Sequence, residues 1–396
     1  MPILSLLVLA ASGYGASIQA PIEVPFRRGD NAIIVDAKVN GRPLSLMFDT
    51  GFSGSVDADE NINLGKPTGS MSLRDFVRVT EAPTVKITAL QLGSKTIDPT
   101  GMEAVLTPAS NYTSAYNVHC DGLMGFETIK HNVTEINYQN NKFIFYPDSM
   151  DISKRVPDNK KTFLVKMLPT GHGAIELEAV TPTGKSMVLA LDTGNAFFAT
   201  THRDVMDRVG LWDGREPKFG SLAGVASGAV NSFSVKMPQL TIFGVPVPSS
   251  VWDVIDLPSS AADADGTVGY GFLKNFNITI DYERRRVWLE NFTGTSGNDP
   301  DGEIGISAGY SPSHKAVIIA RISPDSPAEK AGIKEEDELL SVDGVDLARP
   351  TIRQMRHMLE GPVGSKVKLA ISHNGSLKRY EIERKPLVNL ATGAAP

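Results

Sequence analysis

Cysteine is all but missing from this chain of 396 residues, where Cys120 stands alone. One thiol excludes an intrachain disulfide and any zinc cluster built on cysteine. The fold must be held by packing, which a chain of this length can supply. Positive charge is not in excess either. Lys plus Arg number 39 against 45 for Asp plus Glu, a net charge of −6, so no broad nucleic-acid-binding face is expected. The seven histidines show no metal-ligand spacing and there is no Gly-rich phosphate loop, so no metal and no cofactor are expected. What is present is ordinary for a folded chain, with 41% hydrophobic and 21% charged residues. Gly (36) and Pro (25) are plentiful enough to suit a turn-rich β protein. The length fits two or three domains at about 150 residues each.

The one long apolar run is Ile3 to Ala11, with small residues following through Ala20 and no Lys or Arg before Arg27. It is too short to span a bilayer and fits the apolar region of a signal peptide, with small-residue cleavage options near Gly15 to Ser17. A buried N-terminal strand is the alternative. Residues 1–20 are therefore expected to be a signal peptide. The mature protein is expected to be exported, periplasmic or secreted, with no stable membrane span.

An internal repeat organises the next 270 or so residues. Asp49-Thr50-Gly51 and Asp192-Thr193-Gly194 each follow a Gly, a basic residue and alternating apolar positions: Gly41-Arg42 through Phe48, and Gly184-Lys185 through Leu191. That pattern predicts a turn feeding a period-2 strand that ends at the Asp. Asp121-Gly122-Leu123-Met124-Gly125 begins 72 residues after Asp49, and Asp265-Gly266-Thr267-Val268-Gly269 begins 73 after Asp192. From there the halves align without a gap. Each ends in a hairpin whose polar turn, Gln139 to Lys142 or Glu283 to Arg286, precedes Phe143-Ile144-Phe145 or Val287-Trp288-Leu289. Taken singly, an Asp-Thr-Gly is an ordinary turn. The matched pair, held in register, points to two equivalent lobes.

These residues resemble the pepsin and retropepsin superfamily of aspartic proteases, over about residues 22 to 292. The resemblance implies a mainly β, bilobal, β-barrel-like fold of two pseudo-symmetric lobes, with each Asp-Thr-Gly loop threaded beside its Leu-Met-Gly or Thr-Val-Gly segment. It implies an aspartic-type endopeptidase, a hydrolase, with Asp49 and Asp192 as the catalytic carboxylates. Thr50, Gly51, Thr193 and Gly194 would support them: the threonines by bonding across the lobes, the glycines by close approach and donated N–H groups. The position after each Asp-Thr-Gly departs from the family's small residue, being Phe52 in one lobe and Asn195 in the other. Candidate flaps over the cleft are Leu64 to Val79 and Gly220 to Ala229, which suit plain surface loops equally. Tyr112 and Tyr116 are weak options for a flap aromatic.

Beyond Asn291 a polar, Gly-rich stretch reads as a flexible linker. After it come a strand at Val317 to Ala320, a short capped helix in Ser323 to Ile333, a strand ending at Asp343-Gly344, a helix from Thr351 to Glu360 and a final hairpin. The run SPDSPAEKAGIKEEDELLSVDG closely resembles a bacterial PDZ domain, with Glu336-Asp337 in place of the usual Gly-Asp. This implies a small α+β module that binds an extended peptide, its backbone N–H groups at Ile304, Gly305, Ile306 and Ser307 receiving a carboxylate.

The expected organisation is thus a signal peptide (1–20), lobe one (21–150), lobe two (151–292), a linker (293–302), a PDZ domain (303–386) and a disordered tail (387–396). The expected function is hydrolysis of peptide bonds by a water activated between Asp49 and Asp192, with the PDZ domain recruiting protein or peptide substrates in extended conformation. Both aspartates lie in one chain, so a monomer is expected. The alternative is a catalytically silent protease fold that acts as a peptide-binding adaptor through its PDZ domain. Asn111, Asn132, Asn277 and Asn291 head glycosylation sequons that matter only in a eukaryotic secretory route. Arg284-Arg285-Arg286 reads as a solvated hairpin turn.

Overall fold

A computed structural model describes residues 20–74, 79–108, 119–169, 174–225, 228–259, 264–350 and 352–395. Residues 1–19 of the expected signal peptide, Tyr112, Tyr116 and the sequon at Asn111 lie outside the described residues. Among the described residues no helix is long and apolar enough to cross a membrane.

The alternating lead-ins do form strands. In Arg42–Asp49, Leu44, Leu46 and Phe48 turn one face into the main core, while Met47 on the other face meets Ile34 and Cys120 in a small second cluster. Arg42–Asp49 pairs with Ala32–Val39 through a tight turn at Asn40-Gly41, both with positive φ. Ser186–Leu191 repeats the arrangement against Glu176–Val180. The two lobes then build sheets whose strands follow in the same spatial order. In each, the strand ending at the Asp runs parallel to the short strand carrying the later glycines: Arg42–Asp49 beside Gly122–Gly125, and Ser186–Leu191 beside Gly266–Val268. The strand after each Asp-Thr-Gly, Val56–Asp59 or Ala199–His202, returns antiparallel on the other side of the same short strand. Each loop is thereby threaded through its own sheet.

The two C-terminal hairpins meet in a third sheet shared between the lobes. Its order is Ile22–Pro25, Lys142–Phe145, Thr134–Asn137, Phe276–Asp281, Arg286–Asn291 and Thr162–Lys166. Thr134–Asn137 pairs antiparallel with Phe276–Asp281 at the centre, and one apolar core runs through both lobes. The PDZ module has its own core, around Ile319, Val342, Met355, Val367 and Ile371. Its sheet runs Ile306–Ser311, Ala316–Ile322, Glu338–Val342, Lys366–His373, Ser376–Glu383, accompanied by the helices Pro327–Lys330 and Ile352–Leu359. The mainly β class with two pseudo-symmetric lobes and a small α+β module is therefore the observed one.

Two expectations about the connecting segments need correcting. The 293–302 stretch lies along lobe two instead of swinging free. Ser296 Oγ donates to Pro246 O at 2.9 Å, and Asn298 Oδ1 accepts from Val251 N at 2.8 Å. The 387–396 tail is likewise ordered through residue 395. Asn389–Leu390 adds a parallel strand to Gly228–Met237, Ala391 enters the lobe core, and Asn389 Nδ2 donates to Ser234 O and Phe219 O. Both segments are too short to build a core of their own, and the tail contributes instead to that of lobe two. Here they satisfy backbone groups of lobe two. A chain ending at Leu387 should thus lose roughly 2–4 kcal/mol of stability, as a strand, an anchoring amide and a buried Ala go together. Differential scanning calorimetry tests this, and an unchanged melting profile would return the tail to disorder.

Candidate active site

Asp49 and Asp192 stand at the ends of equivalent strands and face each other at the lobe junction, each residue half-buried. Gly51 N and Phe52 N donate to Asp49 Oδ1 at 2.8 and 3.2 Å, and Gly194 N and Asn195 N donate to Asp192 Oδ1 at 2.9 and 3.0 Å. The two carboxyls are close enough to influence each other's ionisation. Burial raises both above the ordinary carboxylate range. Asp192 is pushed further, because the neighbouring Asp49 charge adds to desolvation. Both effects disfavour two charges at once on neighbouring carboxyls.

The threonines lock this geometry. Thr50 Oγ1 donates to Leu191 O at 2.6 Å and accepts from Thr193 N at 3.0 Å, while Thr193 Oγ1 donates to Phe48 O at 2.9 Å and accepts from Thr50 N at 3.0 Å. All four bonds cross the lobes and both side chains are fully buried. Losing one hydroxyl would orphan two buried backbone groups at about 1–3 kcal/mol each. The glycines make room. A Cβ on Gly51 would lie 2.8 Å from Asp192 Cγ, and one on Gly194 would lie 2.4 Å from Asp49 Cγ. All six residues singled out from the two Asp-Thr-Gly motifs are thus brought together.

The departures at the fourth position have a structural account. Asn195 turns its amide away from Asp192, donating to Thr200 Oγ1 and Thr267 Oγ1 at 2.9 and 2.7 Å and accepting from Phe197 N at 2.9 Å. The Phe52 ring covers Gly54. The candidate flaps are hairpins at equivalent places in the two sheets, Gly69–Arg74 with Val79–Lys86 and Ser221–Val225 with Gly228–Met237.

Sequence reasoning missed several supporting residues. Asp121 Oδ2 accepts from Ser45 N at 2.8 Å and Asp265 Oδ2 from Val188 N at 2.9 Å, tying each threaded loop to its lead-in strand. The repetition of Asp before Gly at matching distance was the available signal. Arg356 had none. It sits on the PDZ helix Ile352–Leu359, yet its Nη1 donates to Asp253 Oδ1 at 3.1 Å, and its guanidinium lies over the Phe197 ring at 4.8 Å. In the PDZ module, Ile304, Gly305, Ile306 and Ser307 line a cavity together with Met355 and Leu359.

Residues 292–372 match the family model described as PDZ domain. The C-terminal module is a PDZ domain. The chain is 33% identical over 93 residues to a probable CtpA-like serine protease of Staphylococcus haemolyticus (strain JCSC1435), which covers 23% of this chain and 19% of that protein. The chain thus spans about a fifth of the length of that curated relative. Among solved structures, the photosystem II D1 C-terminal processing protease is similar over 23% of this chain and 25% of its own, at 21% identity and a TM-score of 0.22. An aspartic proteinase from Irpex lacteus is similar over 70% of this chain and 99% of its own, at 16% identity and a TM-score of 0.41. One expectation is corrected by these comparisons. The class aspartic-type endopeptidase, with the term aspartyl protease, is withdrawn, because the curated relative matched by sequence is named a serine protease. The pairing of the two Asp-Thr-Gly loops is a feature of the geometry and stands apart from that class name.

Proposed function

We propose that this chain is a peptide-bond hydrolase with a substrate-recruiting PDZ domain, and that Asp49 and Asp192 together activate the attacking water. The observation that carries this reading is the carboxyl pair itself, with both acids supplied by equivalent loops that the cross-lobe threonine bonds hold face to face. The ionised carboxylate takes a proton from water as its oxygen adds to the peptide carbonyl carbon. The protonated carboxyl gives its proton to the carbonyl oxygen. In the second step the carboxyl that took the water proton gives it to the amide nitrogen, the other carboxylate takes a proton from a hydroxyl of the tetrahedral intermediate, the C–N bond breaks, and an acid and an amine leave. The cross-lobe threonine bonds hold both carboxyls at a fixed separation throughout, which favours positioning over reorganisation. Both acids come from one chain, so the site is complete in a monomer. The apolar Ile3 to Ala11 run supports export to a periplasmic or extracellular space.

The test is hydrolysis of a mixed peptide library by the full-length chain from acid to neutral pH, with two challenges. A peptide analogue bearing a statine hydroxyl in place of the scissile carbonyl should block cleavage, and a fluorophosphonate that acylates reactive serines should not. The reverse pattern would replace the carboxyl pair with a serine centre. Peptide binding without cleavage at any pH would leave the silent adaptor.

A further inference from the structure

The PDZ groove lies between the edge strand Ile306–Ser311 and the helix Ile352–Leu359, where an added peptide strand would run. That place is already engaged. The lobe-two strand Ser221–Val225 touches both walls, and Ser221 and Leu222 line the groove opposite Ile306, Met355 and Leu359. Just before it, Ser323 Oγ donates to Gly220 O at 3.4 Å, and a Cβ on Gly220 would lie 2.3 Å from Arg321 Nη1. The cavity left in the groove measures about 30 Å³. That is room for about one water, whereas ligand pockets start near 300 Å³.

The same helix that forms one wall reaches into lobe two. Arg356 donates to Asp253 Oδ1 at 3.1 Å and to Ser234 Oγ at 3.3 Å, and pairs with Glu360 just past the end of its own helix. Ser234 belongs to Gly228–Met237, the partner strand of the hairpin in the groove. Phe197, under the guanidinium, follows Asp192 by five residues and is held by Asn195, whose backbone N–H bonds Asp192. One helix thus connects the peptide groove, the second hairpin and the loop carrying Asp192.

We propose that the second lobe's Ser221–Val225 strand latches the PDZ groove in cis, and that an extended peptide with an apolar end enters only by displacing it. Leu222, Ile306, Met355 and Leu359 give the groove its apolar preference. Displacement frees the second hairpin beside the cleft and shifts the helix that holds Phe197, so groove occupancy changes the rate of hydrolysis at the carboxyl pair. This rests on the reading of the groove as a peptide site.

The probe is a pool of nonapeptides with free carboxyl ends and apolar last residues, titrated into the full-length chain. Two variants open the latch by different routes. Leu222→Asp removes the apolar contact and sets a carboxylate near Glu303 and Glu360, and Arg356→Gln removes the ties to Asp253 and Ser234. Each should bind the pool at least about tenfold more tightly, because apparent affinity scales with the open fraction. In the unsubstituted chain, the pool should speed hydrogen exchange at Ser221–Val225. Unchanged affinity in both variants, with unchanged exchange on adding the pool, would overturn the latch while leaving the groove a peptide site. No binding by any of the three proteins would overturn the groove reading and the latch with it.

Discussion

Asp192→Asn and Asp49→Asn should each lower peptide hydrolysis by at least about a thousandfold, the scale of losing a positioned acid or base. The same variants should be more stable than the unsubstituted protein at neutral pH. Each carboxyl is raised above its ordinary value of 3.8 by burial, Asp192 further by the charge of Asp49. A group whose folded pKa lies above its unfolded pKa gives its stabilising contribution in full below the unfolded value. That contribution is lost as pH climbs through the folded value, because the unfolded chain releases the proton first. Folded stability should therefore fall as pH rises from about 4, and an Asn in place of Asp192 should flatten that fall. The gap in melting temperature between variant and parent should widen from acid to neutral pH. A variant that keeps near-full activity removes the shared-proton mechanism. A variant that is inactive with an unwidened gap means that the pair does not carry the buried charge assigned to it.

How much of this was legible in the sequence follows from the range of the interactions. The Asp-Thr-Gly lead-ins are local: Gly41 turns the chain, Leu44, Leu46 and Phe48 alternate, and the strand can only end at Asp49. The repeat then supplied the non-local fact that Asp49 and Asp192 occupy equivalent places in two lobes. The PDZ domain was legible for the same reason, since its helix cap at Ser326 and turn at Asp343-Gly344 are local signals. Arg356 reads as a surface cation on an amphipathic helix. Its burial against Asp253 and Phe197 is a consequence of docking, which no pattern within the helix encodes. Asn298 and Asn389 look like turn residues, yet they bond backbone groups 47 or more residues away. The class name was not fixed by the motifs either. They place two carboxyls together, whereas the sequence-matched relative carries the name of a serine protease.

Gly266→Ala should cost more than about 4 kcal/mol and remove activity with it, through strain and backbone overlap at a position the threaded loop cannot vacate. Gly266 has φ of +133°, and a Cβ there would lie 2.1 Å from Thr200 O. The acceptor is backbone of the antiparallel strand Ala199–His202, so no side chain can swing aside. On its other edge Gly266–Val268 runs beside the strand that ends at Leu191, one residue before the carboxyl. Pushing the two edges apart moves Asp192 relative to Thr200 and Thr267, which orient Asn195. Gly122 in lobe one has the same geometry, with φ of +154° and a Cβ 2.0 Å from Asp57 O, so Gly122→Ala should behave alike. The control is Gly184, where φ is +80° but nothing lies within 4 Å of the added carbon. Gly184→Ala should cost only about 1 kcal/mol, the strain of a non-glycine residue in a left-handed turn, and should spare hydrolysis. Urea unfolding and peptide cleavage on the three variants separate the terms. Equal destabilisation at Gly184 and Gly266 would mean that backbone conformation alone sets the need for glycine. A large excess at Gly266 and Gly122, with cleavage lost, would assign it to the strand crossing that positions the two carboxyls.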